Sequence, residues 1–524
     1  MPKVLLYDTT LRDGSQGEGI SYSVCDKIRI AQELDKSGIN FIEGGWPGSN
    51  PKDMEFFLKM SKTGLSSAKL VAFGSTRKSA NSAANDSNIK GLLKSGVTHV
   101  TIFGKTWDLH IRDVLKVSLE ENLEMIRDSV SFLVSKGITV FYDAEHFFDA
   151  YNANKAYSLK CLLTAQEAGA AELVLCDTNG GTLTSKILSI IKEIRPDIKA
   201  GLGIHCHNDS GLAVANSLAA VEAGANMVQG TINGYGERCG NADLIPIIAN
   251  LKLKMGIDCM SAEKLKGLTH LSHFVSEISN MVHRNDQPYA GDSAFAHKGG
   301  VHINAVMKNP VTYEHIDPQS VGSHRRMLVS ELGGKTGITI SAKELNFDLS
   351  KDDPKTKKIL KLIQDMEHQG YHFEAADASF DLLLKRSLKK YKSFFELEGF
   401  RVVIEKISNK KITSEAIIKL KVKGVKEHTA AEGDGPINAL DNALRKALKE
   451  FYPALAQMHL SDFKVRVLDE KAGTASKVRV LIQSQDESDN WTTIGVHENI
   501  IEASWQALVD SIDYKLLKDR PGKS

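Results

Sequence analysis

Two histidines one residue apart, His205 and His207, close an apolar run in the segment GIHCHNDSGLA. Side chains alternate along a strand, so residues two apart share a face. Both imidazoles then point one way and Cys206 the other. Such a pair beside a carboxylate is a ready site for a divalent metal. The pair alone says little, because 17 histidines in 524 residues produce one such spacing by chance in about every second chain of this size. Its company gives it weight.

Polar groups follow other short β-branched runs in the same way. Arg12-Asp13-Gly14-Ser15-Gln16 follows the first run, and Glu43 ends the second before GGWPGSNPKD. Asp143 and Glu145 end the fifth, within FYDAEHFFDAY, and Asp177-Thr178-Asn179-Gly180 ends the sixth. NGYGERCGNAD follows the eighth. Singly, each has a plainer reading. Asp13 and Asp177 suit helix caps, the glycines suit tight turns, and a lone histidine is usually a satisfied core residue. Caps and turns do not require metal-compatible groups on one rim, and that is where the set falls.

The elements that must position these groups are eight strands: Val4–Tyr7, Asn40–Glu43, Leu70–Phe73, His99–Phe103, Thr139–Tyr142, Glu172–Cys176, Leu202–His205 and Met227–Ile232. Helical patterns separate them. Ser23 to Leu34 carries Val24, Ile28, Ala31 and Leu34 on one face, a capping box in Ser23 and Asp26, and Gly38 past its end. Eight βα units in about 250 residues predict a closed (β/α)8 barrel rather than an open doubly wound sheet, with its active site at the C-terminal strand ends.

A chain of 524 residues exceeds one hydrophobic core and predicts two or three domains. Lys+Arg and Asp+Glu nearly cancel, 66 against 65, which argues against a dedicated nucleic-acid or membrane-surface binder. Six scattered cysteines without CxxC spacing fit a reduced compartment. MPKVLLYDTT lacks a signal-peptide layout, and no apolar run approaches a membrane span. The expectation is a cytoplasmic protein.

DTTLRDGSQ, HCHNDSGLAVANSLAAVEAGA and NGYGERCGNAD closely resemble motifs of the 2-isopropylmalate, homocitrate and citramalate synthase family, in order and at matching strand ends. GGWPGSNPKD and DAEHFF are more similar to the citramalate-forming branch. The resemblance implies metal ligands Asp13, His205, His207 and Asn241, holding Mg²⁺, Mn²⁺ or Zn²⁺. It implies condensation of acetyl-CoA with a 2-oxo acid, here pyruvate, giving (R)-citramalate. Arg12, Thr178 and Asp143 are assigned to the substrate side, Arg12 also stabilising charge on the enolate oxygen. Glu145, His302 in AHKGGVHINAV and Tyr313 in NPVTYEHIDP are the candidate proton-transfer groups, and the sequence leaves the base open among them. The aromatic residues Trp46, Phe73, Phe103, Trp107, Phe141 and Tyr142 are expected to crowd the strand ends and favour a small 2-oxo acid. The alternatives are an isopropylmalate synthase acting on 2-oxoisovalerate, a retro-aldol lyase on a similar barrel, and a catalytically dead sensor.

The division expected is a barrel over 1–260, a helical linker over 261–391 covering the barrel mouth, and an α+β regulatory domain over 392–524. The last part reads as two strand-strand-strand-helix units, with β-rich hairpins at Glu396–Val422 and Lys464–Ile482 and helices at Ile437–Phe451 and Ile500–Leu516. GDGP lacks the GKS/T ending of a phosphate loop. The resemblance implies that this domain binds a branched-chain amino acid, isoleucine for the citramalate branch, and that the enzyme is a homodimer.

Overall fold

The computed structural model describes residues 3–328, 338–339, 342–343, 349–350, 352–406, 412–468 and 476–519. Its first eight strands close into a parallel barrel in sequence order: β1 (Leu5–Asp8), β2 (Phe41–Gly45), β3 (Lys69–Ser75), β4 (His99–Lys105), β5 (Thr139–Glu145), β6 (Glu172–Asp177), β7 (Gly201–Cys206) and β8 (Met227–Gly230). All eight expected strands are there. Strand β8 stops at Gly230, two residues short of the expected Ile232, whereas strands β1 to β7 end one to three residues further than their apolar runs predict. The reason is backbone pairing, which ignores side-chain polarity: Lys105 at the end of β4 is in register with Glu145 of β5. The ladders thus carry Glu43, Asp143, Glu145 and His205 on strand ends, while Arg12, Asp13, Thr178, His207 and Asn241 sit on the segments that follow them.

The first helix, Val24–Ser37, starts in the expected capping box, Ser23 accepting from the Asp26 amide and Asp26 from the Ser23 amide. It stops at Gly38, whose φ of +93° only glycine adopts freely. Inside the barrel, Tyr7, Val71, Phe141, Val174, Cys176 and Met227 fill the lumen below the rim. Tyr142 corrects an expectation, since it belongs to the core between strands and outer helices. Alternation that points Phe141 inward must point its neighbour out.

The chain falls into two compact units, Met1–Phe295 with His315–Arg325, and Ala296–Glu314 with Arg326 onward. The second unit begins with the short parallel pair β9 (Ala296–His297) and β10 (Arg326–Met327). Two antiparallel sheets follow: β11 (Phe395–Glu405), β12 (Thr413–Val422) and β13 (Val425–Gly433), then β14 (His459–Val467), β15 (Val478–Gln485) and β16 (Asn490–His497). Each leads to a helix, Pro436–Leu448 and Ile500–Lys518. The strand-strand-strand-helix repeat is therefore present. Within the expected second hairpin, residues 469–475 lie outside the described residues. Leu440, Leu444, Trp491, Trp505 and Leu508 share one core.

Candidate active site and metal centre

Asp13 follows β1, and His205 sits near the end of β7 with His207 just past it. Their ligand atoms lie within 4.8 Å of one another, and all three side chains are buried. Asp13 Oδ2 is 3.4 Å from His205 Nε2 and 4.0 Å from His207 Nε2. His207 pairs with Asn241 in an isolated antiparallel bridge, which puts the two side chains on one face. Asn241 Nδ2 donates to the Tyr235 carbonyl at 2.9 Å, while its buried Oδ1 has no hydrogen-bond partner. An orphaned buried acceptor costs about 1–3 kcal/mol unless something satisfies it. A carboxylate, two imidazoles and an amide oxygen form a donor set that fits a divalent cation.

The electrostatics agree. Burial would raise the Asp13 carboxyl, but Arg12, and then His205, outweigh it and hold it well below the ordinary carboxylate range. Burial, with His205 alongside, pushes His207 down to about 4, so its imidazole is neutral and able to ligate. His205 Nδ1 lies 2.9 Å from Gln229 Oε1, and Gln229 Nε2 donates to Asp143 Oδ1 at 3.2 Å. An amide oxygen only accepts, so His205 Nδ1 carries a proton and donates, while its Nε2 faces Asp13. Burial would lower this imidazole, but Asp13 outweighs it and raises it above the ordinary value. Asp143 is thus tied to the support of His205. Its carboxyl is raised to about 7 by burial and by the charge of Glu43.

Arg12 Nε donates to Glu43 Oε1 at 2.5 Å and Nη1 to Asp13 Oδ2 at 3.1 Å. Its guanidinium lies over the Phe73 ring, 3.7 Å from the centroid. Glu43 also accepts from the Tyr7 hydroxyl at 2.6 Å. Trp46 packs edge-on against Phe73 and Phe103, which stack on each other at 5.5 Å. Trp107 stacks on His110 and tilts against His146. Thr178 Oγ1 accepts from the His146 amide at 2.9 Å, which leaves its proton free to donate. Glu145 forms an ion pair with Lys105.

His302 and Tyr313 lie in the second unit, where their exposed rings stack at 4.2 Å. The residues that sequence reasoning missed are Gln229, Lys105 and the supporting role of Glu43. Gln229 left a signal as a lone amide in the apolar MVQG, and Lys105 as a cation ending IFGK.

Residues 3–275 match the HMGL-like family model, residues 290–370 the homocitrate synthase post-HMGL domain-like model, and residues 374–516 the LeuA allosteric (dimerisation) domain. The chain belongs to the HMGL-like barrel enzymes, in their family of 2-isopropylmalate, homocitrate and citramalate synthases. Its curated relatives include an (R)-citramalate synthase of Geobacter sulfurreducens, 55% identical over 99% of this chain and 98% of that one. Another, of Aquifex aeolicus, is 54% identical over the same shares. A 2-isopropylmalate synthase of Methanocaldococcus jannaschii is 31% identical over 98% of this chain and 95% of the relative. Among the described residues no helix is long and apolar enough to cross a membrane.

Proposed function

We propose that the chain condenses acetyl-CoA with pyruvate to give (R)-citramalate and CoA. The observation that carries this reading is the buried Asp13, His205 and His207 cluster beside an aromatic wall at the barrel mouth, and the full-length likeness to citramalate synthases supports it. Asp13, His205, His207 and Asn241 would hold Mg²⁺, Mn²⁺ or Zn²⁺. A divalent cation bound there supplies Lewis acidity to the ketone oxygen of a 2-oxo acid.

A base takes a methyl proton from acetyl-CoA, and the resulting carbanion bonds to C2 of pyruvate as the ketone oxygen becomes a hydroxyl. Water then hydrolyses the thioester and releases the CoA thiol. Arg12 is held by Glu43 and Asp13, so its charge is fixed in place to stabilise the enolate oxygen without reorganising. The free hydroxyl proton of Thr178 suits a substrate carboxylate. Glu145, His302 and Tyr313 are the proton-transfer groups of this reading, and Lys105 pairs with Glu145. Asp143 serves the substrate indirectly, through Gln229 and His205.

On this reading Phe73 and Phe103, packed against Trp46, would admit a methyl beside the ketone. An isopropyl group would overpack them at about 1–3 kcal/mol, which is roughly 5-fold to 150-fold in rate. The test is kcat/KM for pyruvate, 2-oxobutanoate, 2-oxoisovalerate and 2-oxoglutarate, following thiol release. Pyruvate should give the highest value. A higher value for 2-oxoisovalerate would make the enzyme an isopropylmalate synthase.

The same reading makes the enzyme a cytoplasmic homodimer with a barrel over 1–260, a linker over 261–391 and a regulatory domain over 392–524 that binds isoleucine. A cavity of about 760 Å³ in the second unit suits that effector. Met458, Leu460 and Phe463 would take the side chain, Lys446 and Lys449 the carboxylate, and Asp441 the ammonium.

A further inference from the structure

Asn241 is oriented from outside the barrel. Its Nδ2 donates to the Tyr235 carbonyl, which also accepts from Thr231 Oγ1 at 2.7 Å. A carbonyl takes only donors, so this contact decides which end of the amide faces Asp13 and the histidines. A flip would replace the acceptor Oδ1 with an NH₂ group.

The carbonyl is in turn placed by a segment pinned to the helix Leu268–Ile278. The Tyr235 hydroxyl lies 2.9 Å from Ser276 Oγ. Asn233 Nδ2 donates to the Ser272 carbonyl at 2.8 Å and to Ser276 Oγ at 2.9 Å. Asn233 has φ +62°, a left-handed conformation that asparagine tolerates better than most residues.

Proton counting fixes the rest. The Ser272 carbonyl only accepts, so Asn233 must face it with Nδ2 and turn Oδ1 to the Ser272 hydroxyl, which donates at 2.5 Å. That hydroxyl has one proton and has spent it. His283 Nε2, 2.7 Å from the same oxygen, must therefore donate. The His283 ring stacks on His273 at 3.8 Å, and His273 Nε2 donates to the Ala290 carbonyl. Ser272 and Ser276 are buried, so neither hydroxyl has water to fall back on.

We propose that His283, Ser272 and Asn233 form a positioning relay that sets the Asn241 amide, and through it the affinity of the barrel mouth for a divalent cation. This rests on Asn241 being a ligand, as read above. None of the three relay residues belongs to the ligand set, so they act on the metal only through the loop.

The test is the Mn²⁺ affinity of the full chain, read from free-ion electron paramagnetic resonance, with circular dichroism to verify folding. Ser272→Ala should weaken Mn²⁺ about 10-fold to 100-fold, the range for lost support around a ligand. At saturating Mn²⁺ its kcat should return close to the parent value. His283→Leu should weaken binding in the same direction, and His283→Gln, which keeps an NH donor, should restore it to within about twofold. His270→Ala, on the exposed face of the same helix, should change nothing. His207→Ala separates the two layers of the argument. If it keeps Mn²⁺, the site assignment fails and the relay with it. If it loses Mn²⁺ while a folded Ser272→Ala binds as the parent does, the relay alone is overturned. Should Ser272→Ala not fold, His283→Leu decides by the same criterion, and equal weakness of His283→Gln and His283→Leu would overturn the donor role.

Discussion

The barrel sheet and the two sheets of the C-terminal repeat handle strand edges in opposite ways. Strands β1 to β8 are four to seven residues long and largely buried along their length. Their sheet is closed, so no edge remains, and a polar side chain on the inner face is either tied into a network or carried to the rim. Strand β11 is eleven residues long, half-exposed, and shows Leu397, Val403 and Ile404 to solvent. The open sheets keep one face free and hold their large cavity on the helix side. On the reading proposed above, chemistry belongs to the barrel rim and control to the region with spare surface, which matches the LeuA allosteric (dimerisation) domain model.

The sharpest way to break this contrast is to remove a ligand from the rim. His207→Ala or Asp13→Ala should leave circular dichroism nearly unchanged while metal content and kcat collapse. Loss of the Lewis acid costs roughly 4 kcal/mol, about a thousandfold in kcat. Near-normal turnover in either variant would remove the metal from the reading and the contrast with it.

A second variant tests whether the repeat has a stability of its own. Leu444 is fully buried in the core shared by the two repeat helices. Leu444→Ala should cost about 3 kcal/mol in that core. Differential scanning calorimetry should show one transition lowered while the temperature at which the barrel melts holds. A uniform shift of the whole melt would mean that the units unfold together.

Much of the barrel was legible in the sequence, because each signal was local. His205 and His207 declare their shared face by spacing, and Ser23 with Asp26 declares the start of a helix within four residues. What stayed hidden lies between strands. The chain from Asp143 through Gln229 to His205 joins β5, β8 and β7, and no periodicity along one strand encodes a bond to another. The partnership of Lys105 with Glu145 depends on the register between β4 and β5, which only closure of the barrel fixes. Tyr142 was misplaced for a related reason. An aromatic residue suits either face of a buried strand, so type alone could not separate it from Phe141. His302 and Tyr313 stand adjacent because a turn brings a helix and its following segment together, eleven positions apart in a stretch without strand periodicity.

The control half of the contrast is tested by filling the cavity. Ala456 is an exposed residue of its lining, so Ala456→Trp adds bulk there without burying a new group in the core. Isoleucine inhibition of the parent should correspond to about 1–3 kcal/mol of coupling. The variant should keep its uninhibited rate and lose most of that coupling, read as a rise of tenfold or more in the isoleucine concentration for half inhibition. Inhibition unchanged by the added bulk would place the effector elsewhere.

The smallest effect is expected at the opposite end of the barrel from the rim. Glu172 begins β6, its Oε1 accepts from Asn226 Nδ2 at 3.0 Å, and its Oε2 is buried without a partner. Burial raises this carboxyl from the ordinary 4.5 to about 7. The folded state therefore holds its proton between about pH 4.5 and 7, where the unfolded chain has released it. Stability from this group is full below about pH 4.5 and is lost as pH rises toward 7. A shift of that size corresponds to roughly 3 kcal/mol at complete burial, and relaxation around a partly buried group reduces it to about 1–2 kcal/mol. Glu172→Gln removes the titration. Its stability relative to the parent, from urea melts, should be near zero at pH 4.5 and rise to a plateau of about 1–2 kcal/mol by pH 7.5, with kcat unchanged. A gain independent of pH would mean that shape rather than charge limits this end of the barrel. A change in kcat would mean that the two ends of the barrel are not independent, and the division between a catalytic rim and a structural base would have to be redrawn.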